Sequence, residues 1–94
     1  MNQLNKLDSR QQLLVVTMEE CGELVQACSK ILRRRELYGD SKYINNLKEE
    51  IGDVYCMIKL MQEHDVVSWE ELEERDKNKR EKLSKWSDLI SEKV

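Results

Sequence analysis

A six-residue pattern that occurs twice in the chain carries the side chains best suited to bind a metal ion. The first copy, residues 19–24, is Glu-Glu-Cys-Gly-Glu-Leu, and the second, residues 49–54, is Glu-Glu-Ile-Gly-Asp-Val. Each copy contains carboxylates three positions apart, a spacing that lets two side chains of one helix face the same ligand. The repeat therefore predicts a divalent metal site between two facing helices.

The phase of each copy supports this prediction. On a helical wheel of about 100° per residue, Glu20 and Glu50 each point into an apolar stripe, while Glu23 and Asp53 lie about 60° away at the stripe edges. Burying an isolated charge costs several kcal/mol, and no Lys or Arg lies on either stripe to offset it. We therefore expect a metal ion to bind Glu20, Glu23, Glu50 and Asp53. The flanking apolar residues are Leu13, Val16, Leu24, Ala27 and Ile31 for Glu20, and Val54, Met57 and Met61 for Glu50.

The donor types indicate which metal. All four side chains offer oxygen, which suits Mg²⁺, with Mn²⁺ as a possible substitute. Di-iron bundles use Glu-x-x-His pairs, which this chain lacks, so a carboxylate-bridged bundle of redox type is a less favoured alternative. Gly22 and Gly52 recur at the same place in both copies, and a glycine inside a helix costs up to ~1 kcal/mol. Their recurrence predicts a need for close helix approach or for ligand room.

Composition favours a single small domain made of long helices. The 94 residues are 37 % charged and include three glycines and no proline, so few residues break helices. We expect one domain over residues 1–94. The formal net charge of −3 argues against a nucleic-acid partner, and no apolar run approaches the roughly 18 residues of a membrane span. An odd number of cysteines favours reduced thiols in the cytoplasm.

The first helix is expected to begin with Asp8 or Ser9 as its cap, with Gln11 or Gln12 completing a capping box. It is expected to end near Leu37, before Gly39. Arginines 33–35 in its last turns are interpreted as complementing the helix dipole in solvent. Besides the stripe around Glu20, this helix carries a second apolar stripe. Because the two stripes together are too wide for one partner helix, we expect cover on two sides. The second stripe is Leu14, Met18, Cys21, Val25, Cys28 and Leu32.

Two more helices are expected. One runs from about Lys42 to Glu63, and His64 ends it. The other follows Ser68, which forms a capping box with Glu71. Its apolar stripe is interrupted over residues 73–82, which predicts a helix end or kink, a solvated face, or the path of a polar ligand. The stripe consists of Trp69, Leu72, Leu83, Trp86 and Ile90.

The acidic pattern resembles the signature of the MazG-type all-α nucleoside triphosphate pyrophosphohydrolases. The matching motifs are Glu-Glu-x-x-Glu at 19–23 and Glu-x-x-Asp at 50–53, and residues 76–80, Asp-Lys-Asn-Lys-Arg, are similar to a later basic segment. The resemblance covers roughly residues 12–82. It implies an antiparallel bundle of long helices, of the four-helix-bundle type, completed by oligomerisation as a homodimer or homotetramer.

The same resemblance implies an activity and roles for residues. The substrate would be an NTP or dNTP, hydrolysed to the monophosphate and pyrophosphate by metal-activated water, with Mg²⁺ on the four carboxylates. Glu19, one turn from Glu23, would be the general base, whereas Glu49 has no assigned role. The candidates for phosphate contact are Lys30, Asn78, Lys79 and Lys82. A non-catalytic helical interaction module is the main alternative from another functional class.

Overall fold

The structure is a computed structural model, and it describes residues 6–90. Within that range the chain forms three α-helices and no β-strand: α1, Ser9–Arg34; α2, Lys42–Glu63; and α3, Trp69–Trp86. The predicted all-α class is confirmed. None of the helices in the described range is long and apolar enough to cross a membrane.

Local side-chain hydrogen bonds explain where α1 begins. The Asp8 carboxylate accepts from the Gln11 N–H at 2.7 Å, and the Gln11 amide oxygen accepts from the Asp8 N–H at 3.0 Å. This capping box satisfies two backbone donors at once. At the other end α1 stops at Arg34, because Arg35 turns into the left-handed region with φ 57°. The predicted end near Leu37 is therefore wrong, and Gly39, with φ 94°, lies inside the connecting loop.

The bounds of α2 and the start of α3 agree with the sequence. Ser41 caps α2 by accepting from the Ile44 N–H at 3.2 Å, and His64 is its C-cap. Ser68 and Glu71 form the predicted capping box of α3. Since α3 runs unbroken through residues 73–82 and these side chains are almost all exposed, that stretch is a solvated face and not a helix end.

Helices α1 and α2 form an antiparallel pair that contains the core. Arg34 lies over the Tyr43 ring near the connecting loop, and Glu20 meets Glu50 further along both helices, so the two helices run in opposite directions. The stripe around Glu20 packs on α2 and is buried or half-buried along its length. The buried apolar side chains of the described residues are Leu13, Ala27, Ile31 and Met57.

The second stripe of α1 has no cover within the described chain. All six of its side chains are exposed, and Met18, Val25 and Leu32 each keep about two thirds of their surface accessible. Helix α3 makes only sparse contact with the other two helices. The single chain thus covers α1 on one side, where the sequence predicts two. Its radius of gyration, 16.3 Å, exceeds the about 12 Å of a compact domain of this length.

Candidate metal centre

Three predicted ligands meet at the contact between α1 and α2. One carboxylate oxygen from each of Glu20, Glu50 and Asp53 lies within 4.8 Å of the other two. Glu20 and Glu50 are half-buried, as expected from their positions in the apolar stripes, and Asp53 is exposed at the edge. The antiparallel pairing brings Glu20 of the first copy against Glu50 and Asp53 of the second.

The fourth predicted ligand, Glu23, lies beside this cluster and not within it. Its side chain is exposed and forms a hydrogen bond with the Glu20 carboxyl. Two carboxyl groups can share such a bond only if one of them carries a proton. Burial, followed by the negative charges of Glu23 and Asp53, raises the pKa of Glu20 above its ordinary value. Burial and the neighbouring carboxylates therefore both favour the neutral form of Glu20 relative to an isolated glutamate.

Glu50 has a buried carboxylate oxygen, Oε1, that lacks a hydrogen-bond donor among the described residues. Burial raises the pKa of Glu50, and the charges of Glu23, Asp53 and Glu49 raise it further, while Lys30 acts in the opposite direction. A buried acceptor without a donor costs free energy that a ligand would recover.

The donor set fits a hard divalent cation. The converging atoms are carboxylate oxygens, which match the preference of Mg²⁺ and Mn²⁺. A cation placed among Glu20, Glu50 and Asp53 would meet the unpartnered Glu50 oxygen and offset the mutual repulsion that raises these pKa values. Glu23, the fourth predicted ligand, lies next to Glu20 at the edge of this group.

The leading glutamates of the two copies are both exposed. Glu19 lies one helical turn before Glu23, on the solvent side of the cluster, where water has free access. Glu49 acts on the site through its charge, which contributes to the raised pKa of Glu50. The two positions therefore match both in sequence and in exposure.

The two glycines face open space. A Cβ atom built on Gly22 or Gly52 would have no neighbouring atom within 4 Å among the described residues. The predicted close approach of helices at these positions therefore does not occur within the chain, because the contact between α1 and α2 lies on another face of each helix. The other predicted reason for the glycines, room for a ligand beside the carboxylates, is compatible with this open space.

The predicted phosphate contacts fall into two groups. Lys30, on α1, is exposed and near enough to the cluster to lower the pKa of Glu50. Asn78, Lys79 and Lys82 are on α3, and the Lys79 ammonium lies 5.7 Å from the centre of the Trp86 ring. Among the residues that the structure describes, no hydrogen bond or ion pair connects these three to the carboxylates.

The structure also reveals a cationic pocket that the sequence analysis missed. Lys30, Arg33, Arg34 and Tyr43 line a cavity of about 390 Å³ at the loop end of the helix pair. The arginine run was visible in the sequence, but its partner Tyr43 becomes apparent only once the register of α1 against α2 is known. The guanidinium carbon of Arg34 lies 4.6 Å from the centre of the Tyr43 ring.

Comparison with known proteins gives one clear result. The family model for the MazG nucleotide pyrophosphohydrolase domain matches residues 8–86, which include all three helices and both acidic motifs. No curated protein and no solved structure matches the chain.

Proposed function

Since the chain belongs to the MazG nucleotide pyrophosphohydrolase family, we propose that it hydrolyses NTPs or dNTPs to the monophosphate and pyrophosphate. The observation that carries this proposal is the carboxylate cluster. Glu20, Glu50 and Asp53 converge within 4.8 Å, and one buried Glu50 oxygen has no partner. This arrangement is costly without a cation and suited to one that also binds phosphate oxygens.

We propose Glu20, Glu23, Glu50 and Asp53 as ligands of Mg²⁺, with Mn²⁺ as a substitute. When bound, Mg²⁺ neutralises charge on the phosphate oxygens and makes the attacked phosphorus more electrophilic. The carboxylates hold the ion at the edge of the helix pair, where Asp53 and Glu23 are exposed and a nucleotide has access. The half-buried Glu20 and Glu50 fix the inner side of the site.

The proposed general base is Glu19. Its exposed carboxylate takes a proton from a water molecule as the water oxygen bonds to the α-phosphorus. The bond from that phosphorus to the oxygen bridging the α- and β-phosphates breaks, and pyrophosphate leaves with the bonding electron pair. Lys30 lies on the same side of α1 and is a proposed phosphate contact. Its charge lowers the pKa of Glu50, which places it near the cluster. Asn78, Lys79 and Lys82 remain proposed contacts that rest on the family resemblance.

A substrate panel tests the activity. Purified protein is incubated with Mg²⁺ and each of the common NTPs and dNTPs, and pyrophosphate release is measured. We expect release from at least one nucleotide, and loss of that release in Glu50→Ala. The matched control is Glu36→Ala, which removes an exposed carboxylate outside the helices and should retain activity. Activity that survives Glu50→Ala would contradict the site assignment.

The same panel, together with the stability of the protein with and without metal, separates the two rival functions. A non-catalytic helical interaction module would release pyrophosphate from no nucleotide and would show no dependence of stability on Mg²⁺. A carboxylate-bridged redox bundle would be stabilised by iron or manganese without nucleotide turnover, although no histidine accompanies the carboxylates as it does in di-iron bundles.

We also propose that the chain is a homo-oligomer, a dimer or tetramer in which the second stripe of α1 is covered. The accessible surface of the chain is 7821 Å², roughly 2,000 Å² more than a compact monomer of this size exposes. An obligate interface buries an area of this order on each partner. Two helix pairs joined through their exposed stripes would form a four-helix bundle, and the buried apolar surface would stabilise it.

The oligomer is tested by placing a charge on the stripe. Val25→Glu introduces a carboxylate at its centre, and we expect the mass measured by sedimentation equilibrium to fall to that of the monomer. Leu37→Glu is the control, because Leu37 is an exposed leucine in the loop after α1. If Leu37→Glu dissociates the oligomer and Val25→Glu does not, the interface lies elsewhere.

A further inference from the structure

The pocket at the loop end of the helix pair contains three cations and no anion. Lys30, Arg33 and Arg34 come from the last turns of α1, and Tyr43 comes from the first turn of α2. Two cationic groups lie close to the Tyr43 ring, with the Arg34 guanidinium carbon at 4.6 Å and the Lys42 ammonium at 5.3 Å from its centre. These contacts hold the ring and the Arg34 guanidinium together at the edge of the pocket.

No carboxylate of the described residues forms an ion pair with the cations of this pocket. In that part of the chain the one ion pair joins Arg80 to Asp76, on α3. Arg33 donates from Nε to the Ser29 carbonyl at 3.4 Å. Three cations without an ion-pair partner in one concave site, in a chain of net charge −3, favour a ligand with several negative charges.

The pocket lies on the same side of α1 as the outer edge of the carboxylate cluster. Lys30 follows Glu23 by two helical turns, a rise of about 10 Å, and lies within about 20° of it on the wheel. Side chains on a helix lean towards its N-terminus, so Lys30 and Arg34 lean towards the carboxylates.

We propose that this pocket binds the phosphates of a polyphosphate that extend beyond the metal site, with Lys30, Arg33 and Arg34 as anion contacts and Tyr43 as a wall. For a nucleoside triphosphate these are the β- and γ-phosphates, which leave as pyrophosphate. That identification of the ligand rests on the proposed function. The acidic cluster then binds the cation that accompanies the triphosphate, and the cationic pocket binds the terminal phosphates.

The rival explanation is that the arginines only complement the negative end of the α1 dipole. That explanation treats Arg33, Arg34 and Arg35 alike. The pocket does not, because Arg35 is the C-cap of α1 and does not line the cavity. Arg35→Gln is therefore a control with the same charge change, in the same run of arginines, outside the proposed site.

The experiment measures binding of inorganic triphosphate to the full-length chain by calorimetry, with Mg²⁺ and with EDTA, at fixed low salt. We expect Arg34→Gln and Arg33→Gln each to weaken binding about tenfold or more, as expected for the loss of a charge-assisted hydrogen bond. Arg35→Gln should change the triphosphate affinity less than about threefold, because it removes a positive charge that lies outside the pocket. Helix content measured by circular dichroism confirms that each variant is folded.

Equal losses of triphosphate affinity in all three variants, or no loss in any of them, would overturn the proposal that this pocket binds phosphate. Two further results separate it from the proposed function. Triphosphate binding that depends on Arg34 in a chain without hydrolytic activity would support the pocket and refute the enzyme. Nucleotide hydrolysis with the same KM, and the same inhibition by pyrophosphate, in Arg34→Gln and Arg35→Gln would support the enzyme and overturn the pocket.

Discussion

The two acidic motifs are nearly identical in sequence but differ in structure. In the second copy, residues 49–53, Glu50 and Asp53 both enter the cluster, and an oxygen of Glu50 is buried without a partner. In the first copy, residues 19–23, Glu20 enters the cluster while Glu23 stays beside it and shares a hydrogen bond with Glu20. The second copy therefore contributes two carboxylates to the cluster, and the first contributes one carboxylate with a second carboxyl group beside it.

This difference has a physical cause. Negative charge from both motifs raises the pKa of Glu20 and of Glu50. The Glu20 carboxyl has a hydrogen-bond contact with Glu23, whereas the Glu50 Oε1 atom is buried with no hydrogen-bond partner among the described residues. The repeated sequence thus provides one inner glutamate with a partner and one with an unpartnered oxygen, and the second would gain more from a metal ion.

The largest effect that separates the copies is expected at their leading glutamates. Glu19→Gln should lower kcat by roughly 10²–10⁴-fold with little change in KM, because it removes the proposed general base. Glu49→Gln is its matched control and should leave kcat within a few-fold, since Glu49 acts on Glu50 through charge alone. Steady-state kinetics on the best nucleotide of the panel measure both variants. A large loss of kcat in Glu49→Gln with normal Glu19→Gln would assign the base to the other motif.

A smaller effect is expected at the third carboxylate of each copy. Glu23→Gln should weaken Mg²⁺ binding about 10–100-fold, because it removes a proposed ligand that lies beside the cluster and also contacts Glu20. Asp53→Asn should weaken it more, because the Asp53 oxygen already lies within 4.8 Å of Glu20 and Glu50. Calorimetric titration with Mg²⁺ gives both affinities. Equal losses would mean that Glu23 is as fully a ligand as Asp53 when the ion is bound.

The pH dependence of stability should distinguish Glu50 from the rest of the motif. Its pKa in the folded chain is raised above the ordinary value of 4.5, so the folded state binds a proton more tightly than the unfolded state. Unfolding free energy in EDTA therefore falls as pH rises from 4.5 through the raised pKa. Glu50→Gln lacks this loss and should have a higher Tm than the unsubstituted protein at pH 7, with the two converging near pH 4.

Mg²⁺ provides the control for that measurement. It should raise the Tm of the unsubstituted protein at pH 7, since ligand binding to the folded state stabilises it, and should have little effect on Glu50→Gln. A Tm difference between the two proteins that is the same at pH 4 and pH 7 would show that the variant acts through packing and not through charge.

Local interactions made the helix starts predictable from the sequence. Ser41, Ser68 and the pair Asp8 and Gln11 cap their helices through hydrogen bonds within three residues, so they depend on nothing remote in the chain. The end of α1 was not predictable in this way. Arg35 adopts the left-handed conformation, which is sterically costly for a residue with a Cβ, and Gly39 was the more plausible candidate from the sequence.

The site shows the same division between local and long-range information. The spacing of Glu20, Glu50 and Asp53 predicted that they face one another, because wheel phase depends only on helical geometry. The hydrogen bond that draws Glu23 towards Glu20 depends on side-chain conformation within an acidic cluster. The cationic pocket depends on which residue of α2 lies opposite Arg34. Neither the rotamer nor the helix register is encoded in the spacing of residues along one helix.

The smallest expected effect concerns the glycines, which the two copies share both in sequence and in structure. Because a Cβ on Gly22 or Gly52 would meet open space, Gly22→Ala and Gly52→Ala should each stabilise the fold by about 0.5–1 kcal/mol, the helix-interior penalty of glycine. Urea unfolding measures both values.

The same variants also test whether the nucleotide occupies the open space beside the carboxylates. If it does, the added Cβ raises KM for the nucleotide while the free energy of unfolding increases. A glycine that destabilises the fold when replaced by alanine would instead mark a close approach by a second chain, and a difference between the two positions would show which copy that chain contacts.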